Sequence, residues 1–110
     1  MKLAIGIPVV YGVPGEAWSF IATAIARAAK VFPEFMIATT VDQFPYEKAR
    51  NMIVDACLKA DVTHLLFLDS DMFPPADIAK DLYEAMVESK SQVTTGFTYR
   101  RGGEYRSVWY

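Results

Sequence analysis

Two aspartates near the middle of the chain are the residues whose type and spacing could carry out chemistry. Asp69 and Asp71 end the apolar run 64–68 and precede two prolines at 74–75. Side chains alternate between the two faces of a strand, so residues spaced two apart are expected on the same face. Carboxylate oxygens are hard ligands of the kind that Mg²⁺ and Mn²⁺ prefer. We therefore expect Asp69 and Asp71 to hold a divalent cation and, through it, a phosphate-bearing ligand.

A purely structural role for the same two residues is the alternative. An acidic turn can solvate the end of a strand and favour the start of the next helix through the helix dipole. A bare Asp-X-Asp pattern is frequent by chance. Its position directly after a strongly apolar strand is what favours the functional interpretation.

The elements that would position these aspartates follow from the hydrophobic pattern. Short apolar runs alternate with amphipathic segments, which is typical of βαβ units and a mainly parallel sheet. The run 63–68 is apolar on both faces, so we expect it to be the most buried, central strand. A turn at 101–104 predicts a hairpin-like extension at the end of the chain. The predicted elements are strands at 3–8, 35–40, 63–68 and 92–98, and helices at 16–30, 45–60 and 74–86.

One helix has an especially regular apolar stripe. Its members recur at intervals of three and four residues, as on one face of an amphipathic helix. Cys57 belongs to this stripe, so we interpret it as a core residue. The stripe comprises Ala49, Met52, Ile53, Ala56, Cys57 and Ala60.

Composition limits the class of protein. The 110 residues are 53% hydrophobic and 14% aromatic, which predicts one folded domain spanning 1–110. We expect the excess apolar surface to be covered by another subunit of a homo-oligomer or by a missing continuation of the fold. A net charge of -2 gives no electrostatic reason to expect nucleic acid. A lone cysteine excludes an intrachain disulfide, and no segment has the length and apolarity of a membrane span or the pattern of a signal peptide. The cytoplasm is the expected location.

Three further residues are candidates for ligand contacts. Arg50 begins a helix where a phosphate could bind a guanidinium, although a solvated arginine paired with Glu47 is an alternative. Asp42 follows the second strand at the edge where open α/β sheets bind ligands, or is a polar turn residue. Tyr11 could stack on a nucleotide base or be an exposed loop residue. His64 receives no role.

Five segments together resemble the nucleotide-binding half of a GT-A-fold glycosyltransferase of the family-2-like group. The opening strand ends in a proline, the second ends in Thr-Thr-Val-Asp, Ala-Arg-Asn opens a helix, and Asp-Ser-Asp follows the third strand. A later Thr-Gly-Phe-Thr-Tyr-Arg-Arg segment is similar to the one that leads into the acceptor half. These segments are 3–8, 39–42, 49–51, 67–71 and 95–101.

The resemblance implies a three-layer α/β/α sandwich with a Rossmann-like sheet, and transfer of a sugar from a nucleoside-diphosphate sugar to an acceptor hydroxyl. It implies that Asp71 binds Mn²⁺ or Mg²⁺ directly. It implies that Asp69 also belongs to the metal site, where it contacts the ribose or reaches the metal through water. The residues it implies for the nucleotide sugar are Pro8, Val9, Tyr11, Asp42, Arg50, Asp69 and Ser70.

The chain also departs from that family. Its members are usually about twice as long, and their later portion carries the acceptor site and, in inverting enzymes, the catalytic base. No residue here is therefore assigned as catalytic, and a non-catalytic nucleotide-sugar-binding or assembly module is the alternative. A haloacid-dehalogenase-type phosphatase with Asp69 as nucleophile fits less well, because its motif lies on the first strand and continues with threonine.

Overall fold

The computed structural model describes residues 1–9, 15–41, 45–92, 97–99 and 107–109. Strands and helices alternate through most of the chain, and three strands form a parallel sheet in the order β2-β1-β3. The predicted α/β class with a parallel sheet is therefore confirmed. The elements are β1 (Lys2–Val9), α1 (Gly15–Val31), β2 (Glu34–Val41), α2 (Tyr46–Lys59), β3 (His64–Phe67), α3 (Ile78–Ser89), β4 (Phe97–Tyr99) and β5 (Ser107–Trp109).

The central strand is β1 rather than β3. Ile5 pairs with Ile37 of β2 on one side and with Leu66 of β3 on the other, and its side chain is fully buried. All four residues of β3 are only half-buried. The prediction that 63–68 is the most buried strand is therefore wrong. Both strands are continuously apolar, and the order of strands in the sheet decides which of them is enclosed.

Helix α2 packs closely on one face of the sheet because β1 has a glycine there. A Cβ atom placed on Gly6 would lie 2.7 Å from Cγ2 of Ile53. Ile53 and Cys57 pack against Ala4 and Ala38, two further small side chains. The small residues on the strands therefore allow this helix to lie close to the sheet.

The apolar stripe of α2 is narrower than the sequence indicates. Ala49, Ile53 and Cys57 are buried as predicted, and burial raises the pKa of the Cys57 thiol. Met52, in contrast, is 43% exposed, and Ala56 is also exposed. The structure confirms the core role of Cys57 and contradicts the one expected for Met52.

Helix α1 also lies close to its neighbours through small residues. Its buried side chains are Ala17, Ile21, Ala24 and Ala28. On one flank, Phe20 makes an edge-to-face contact with Phe73, with ring centroids 5.3 Å apart. On the same flank, Arg27 lies 3.7 Å from Asp77. These two contacts join α1 to the segment that follows β3.

The chain divides into two compact units, 1–78 and 79–110. The second contains an antiparallel pair in which Thr98 of β4 lies opposite Val108 of β5, as the predicted hairpin-like extension requires. The turn at 101–104 lies outside the described residues. Helix α3 begins three residues after Pro75, whose carbonyl accepts a hydrogen bond from the Ile78 N–H. In the described part of the chain, the helices are too short or too polar to cross a membrane.

Candidate functional site

The two aspartates lie on a turn at the carboxyl end of the sheet. β3 ends at Phe67, Leu68 continues the pairing through its N–H to the Gly6 carbonyl (2.9 Å), and a turn follows. This turn is closed by a hydrogen bond from the Met72 N–H to the Asp69 carbonyl at 3.2 Å. The alternation that places residues i and i+2 on one face applies to strands. It therefore does not fix the directions of Asp69 and Asp71 relative to one another.

The side chains of the turn differ in exposure. Asp69 and Ser70 are half-buried, and Asp71 is exposed. A half-buried carboxylate such as that of Asp69 is accessible to a ligand while still being held by the surrounding protein. The turn after β3 therefore lies where a ligand can reach it, as the predicted site requires.

Arg50 and Asp69 form an ion pair across the carboxyl edge. The Nη2 atom of Arg50 donates to Oδ1 of Asp69 at 2.8 Å. The structure thus gives Arg50 a different partner from Glu47, the one considered from the sequence. Two residues predicted independently for the same ligand are brought into direct contact.

Aromatic rings hold the guanidinium of Arg50 in place. Its central carbon lies 5.2 Å from the ring centroid of Phe67 and 6.0 Å from that of Tyr46. A guanidinium over an aromatic face is attracted by the ring quadrupole. Because a guanidinium carries five N–H donors in a rigid fork, Arg50 can bond Asp69 and still donate to a phosphate oxygen.

Sequence reasoning missed the role of Phe67. The ring was assigned only to the apolar strand, although it lies two residues before Asp69 and packs against the cluster under α2. The signal was present in the sequence: Phe67 shares the sheet face of Leu65, and Arg50 belongs to the helix that covers this face. Recognising it required knowing which helix covers which face.

A buried hydroxyl lies at the same edge of the sheet. Thr40 pairs with Pro8, which is fully buried, and its Oγ1 has no hydrogen-bond partner in the described structure. The neighbouring Thr39 hydroxyl, in contrast, donates to the Ile7 carbonyl at 2.7 Å. A buried polar atom without a partner carries a desolvation cost, so Thr40 is an energetically unfavourable feature of this edge. The sequence analysis did not single out Thr40.

Of the other residues predicted to contact the ligand, two lie at the carboxyl end of β1 and two lie outside the described residues. Pro8 and Val9 end β1 beside this edge, and Val9 is half-buried. Tyr11 and Asp42 lie outside the described residues. Their predicted contacts with a nucleotide stay predictions.

The donor set suits a metal that arrives together with its ligand. Within the described ranges, no three His, Cys, Asp or Glu side chains form a group able to hold a metal ion. Mg²⁺ is commonly bound by one or two carboxylates together with substrate phosphates and water. Asp69 and Asp71 bring two carboxylates to this turn, and Arg50 bonds Oδ1 of Asp69.

Comparison of the chain with protein families, curated proteins and solved structures finds no match.

Proposed function

We propose that this chain binds a nucleoside-diphosphate sugar at the carboxyl ends of β1 and β3 and transfers the sugar to an acceptor hydroxyl. The observation that carries the proposal is the strand order β2-β1-β3. In open α/β sheets, ligands bind outside the carboxyl ends of the strands, where successive connections leave in opposite directions. The connections after β1 and β2 leave in opposite directions, so this point is at the carboxyl end of β1, beside β3 and the aspartates Asp69 and Asp71 that follow it.

The complete fold fits this proposal as a three-layer arrangement. β2 and β3 flank β1 on opposite sides, and α2 covers the face that carries Ala4 and Ala38. Right-handed connections then require α1 on the other face. A sheet covered on both faces leaves its carboxyl edge as the natural place for a ligand.

Each residue of the site has a distinct proposed role. Asp71 and Asp69 hold Mn²⁺ or Mg²⁺, which acts as a Lewis acid toward the departing diphosphate. Arg50 donates to a phosphate oxygen, and its bond to Asp69 and its stacking on Phe67 fix its direction.

Calorimetric titration with a nucleoside diphosphate tests this assignment. Uridine and guanosine diphosphate are titrated with and without Mn²⁺, and we expect binding only when the metal is present. Asp71→Ala should abolish the metal dependence, because it removes the more exposed of the two ligands. Asp55→Ala is the matched control, since Asp55 is an exposed carboxylate paired with Lys59 on α2. Equal binding with and without metal would contradict the proposal.

A binding module without catalysis is the second candidate function. It requires only that Asp69, Asp71 and Arg50 bind the diphosphate, and it needs no residue in the role of a catalytic base. Assays of sugar transfer and of sugar-nucleotide hydrolysis separate the two functions. A binding module retains metal-dependent affinity for the nucleotide but converts none of it.

A further inference from the structure

The outer edge of β2 presents backbone groups that β1 does not use. The Leu68 N–H donates to the Gly6 carbonyl. The backbone N–H and C=O groups of the even-numbered residues of β1 are therefore directed toward β3, and those of the odd-numbered residues toward β2. In a parallel pair, the backbone groups of each such residue hydrogen-bond to the two residues that flank its register partner on the neighbouring strand. The backbone groups of Met36, Ala38 and Thr40 of β2 are therefore directed toward β1. The N–H and C=O groups of Phe35, Ile37 and Thr39 point away from the sheet.

Beyond Glu34, which begins β2 directly after Pro33, this edge lacks the features that keep exposed strands apart. Natural edge strands carry lysines, prolines or bulges, or are very short. The segment 35–41 contains no charged residue, no proline and no glycine, and it pairs without interruption along β1. Ile37 is 48% exposed and Val41 is 59% exposed. The edge is long, uncharged and apolar.

Helix α1 continues the apolar surface beside this edge. It contacts β2, and the flank that carries Phe20 and Arg27 is directed toward the segment after β3. At 100° per residue, Trp18 lies about 160° around the helix from Phe20. The opposite flank, with Trp18 55% exposed, is thus on the side of β2. Trp18 and Ile37, with the outward backbone groups of β2, define what we call the β2 surface.

We propose that the β2 surface binds a second copy of this chain, with the two β2 strands antiparallel about a two-fold axis at Ile37. The two sheets then form one continuous sheet of six strands. In this register Ile37 lies opposite its own copy and Phe35 lies opposite Thr39, so these three outward-facing residues pair with one another. Glu34 lies opposite Thr40, which keeps the carboxylates of the two copies apart.

A second copy fits this edge better than a different protein does. A two-fold interface requires a surface that is complementary to itself, and an uncharged strand with outward groups on alternate residues satisfies that requirement. Like charges directly opposite one another destabilise a strand pair, and this register has none. The apolar excess of the composition is consistent with such burial.

Light scattering after size-exclusion chromatography tests the interface. We expect the full chain to have the mass of a dimer and Ile37→Lys to have half that mass with an unchanged circular dichroism spectrum, because a lysine at this position prevents pairing. Leu58→Lys is the control: Leu58 is an apolar residue of α2 that is 69% exposed, so its variant should remain dimeric. A monomeric parent chain, a dimeric Ile37→Lys variant or a monomeric Leu58→Lys variant would each overturn the proposal.

Disulfide trapping tests the register independently. Opposed residues in a hydrogen-bonded antiparallel pair have Cα atoms about 5.5 Å apart, within the range of a disulfide. Ile37→Cys should therefore form a covalent dimer on mild oxidation. Val41→Cys should not, because eight residue steps separate the two copies of position 41, or roughly 27 Å. Equal cross-linking of both variants, or none at position 37, would exclude the two-fold at Ile37.

Discussion

Arg50 connects three parts of the candidate site with a single guanidinium. It bonds Asp69 on the turn after β3, stacks on Phe67 at the end of that strand, and belongs to the helix that packs on the same face. A lysine could supply the charge but not the planar stacking or the fork of donors. The role of Arg50 thus depends on the shape of its side chain as much as on its charge.

The strength of the Arg50–Asp69 pair follows from its exposure. Both side chains are 39% exposed, so solvent weakens their attraction. In a double-mutant cycle with Arg50→Ala and Asp69→Ala, we expect a coupling free energy of about 0.5 kcal/mol, which decreases as salt is added. Urea unfolding of the four proteins measures it.

The Lys59–Asp55 pair is the control for that cycle, because its side chains are 78% and 65% exposed. Its coupling should be smaller than that of Arg50 and Asp69. A larger coupling in the control pair would show that the geometry at Arg50 contributes nothing to stability. The Arg50–Asp69 contact, which joins residues 19 apart in the chain, was not predictable from local spacing.

At the scale of elements, Gly6 determines how α2 lies on the sheet. Besides Ile53, a Cβ atom at position 6 would meet side-chain atoms of Leu65 at 3.2 Å and Phe67 at 3.3 Å. Because Phe67 also supports Arg50, displacing its ring would move the guanidinium. Packing at Gly6 and the geometry of the site are therefore coupled.

Gly6→Ala should destabilise the chain by about 1–3 kcal/mol, the usual cost of an extra methyl group in a tightly packed core. Gly15→Ala is the matched control, since no atom lies within 4 Å of the position of its Cβ. Thermal or urea unfolding of both variants provides the measurement. Equal stability of the two variants would mean that α2 is not held at the distance seen here.

Sequence periodicity predicted most elements because it is local. The apolar alternation located β1, β2, α1 and α2 to within a residue or two of their bounds. It failed for the start of α3, where Pro74 and Pro75 precede a turn and the helix begins only at Ile78. A proline is compatible with a first helical turn but does not require one.

At the scale of the whole molecule, the order of the strands could not be obtained from the sequence. β1 and β3 are both apolar on both faces, and only the long-range pairing gives β1 two neighbours. The same order creates the edge at β2 and the ligand position between β1 and β3. The proposed ligand site and the proposed dimer thus depend on one topological fact that is not local in the chain.

Residue-resolved amide exchange tests this organisation in one measurement. The amides of Ala4 and Ile5, in the strand with neighbours on both sides, should exchange most slowly, because they open only when the sheet itself opens. In β2, Ala38 bonds β1 and should be protected at every protein concentration. Ile37 and Thr39 face outward, so they should exchange rapidly in dilute solution and slow down as a dimer forms. The Ile37→Lys variant should retain protection at Ala38 and lose the concentration dependence at Thr39. Rapid exchange throughout β1 would contradict the strand order, whereas slow exchange at Thr39 in the variant would contradict only the dimer.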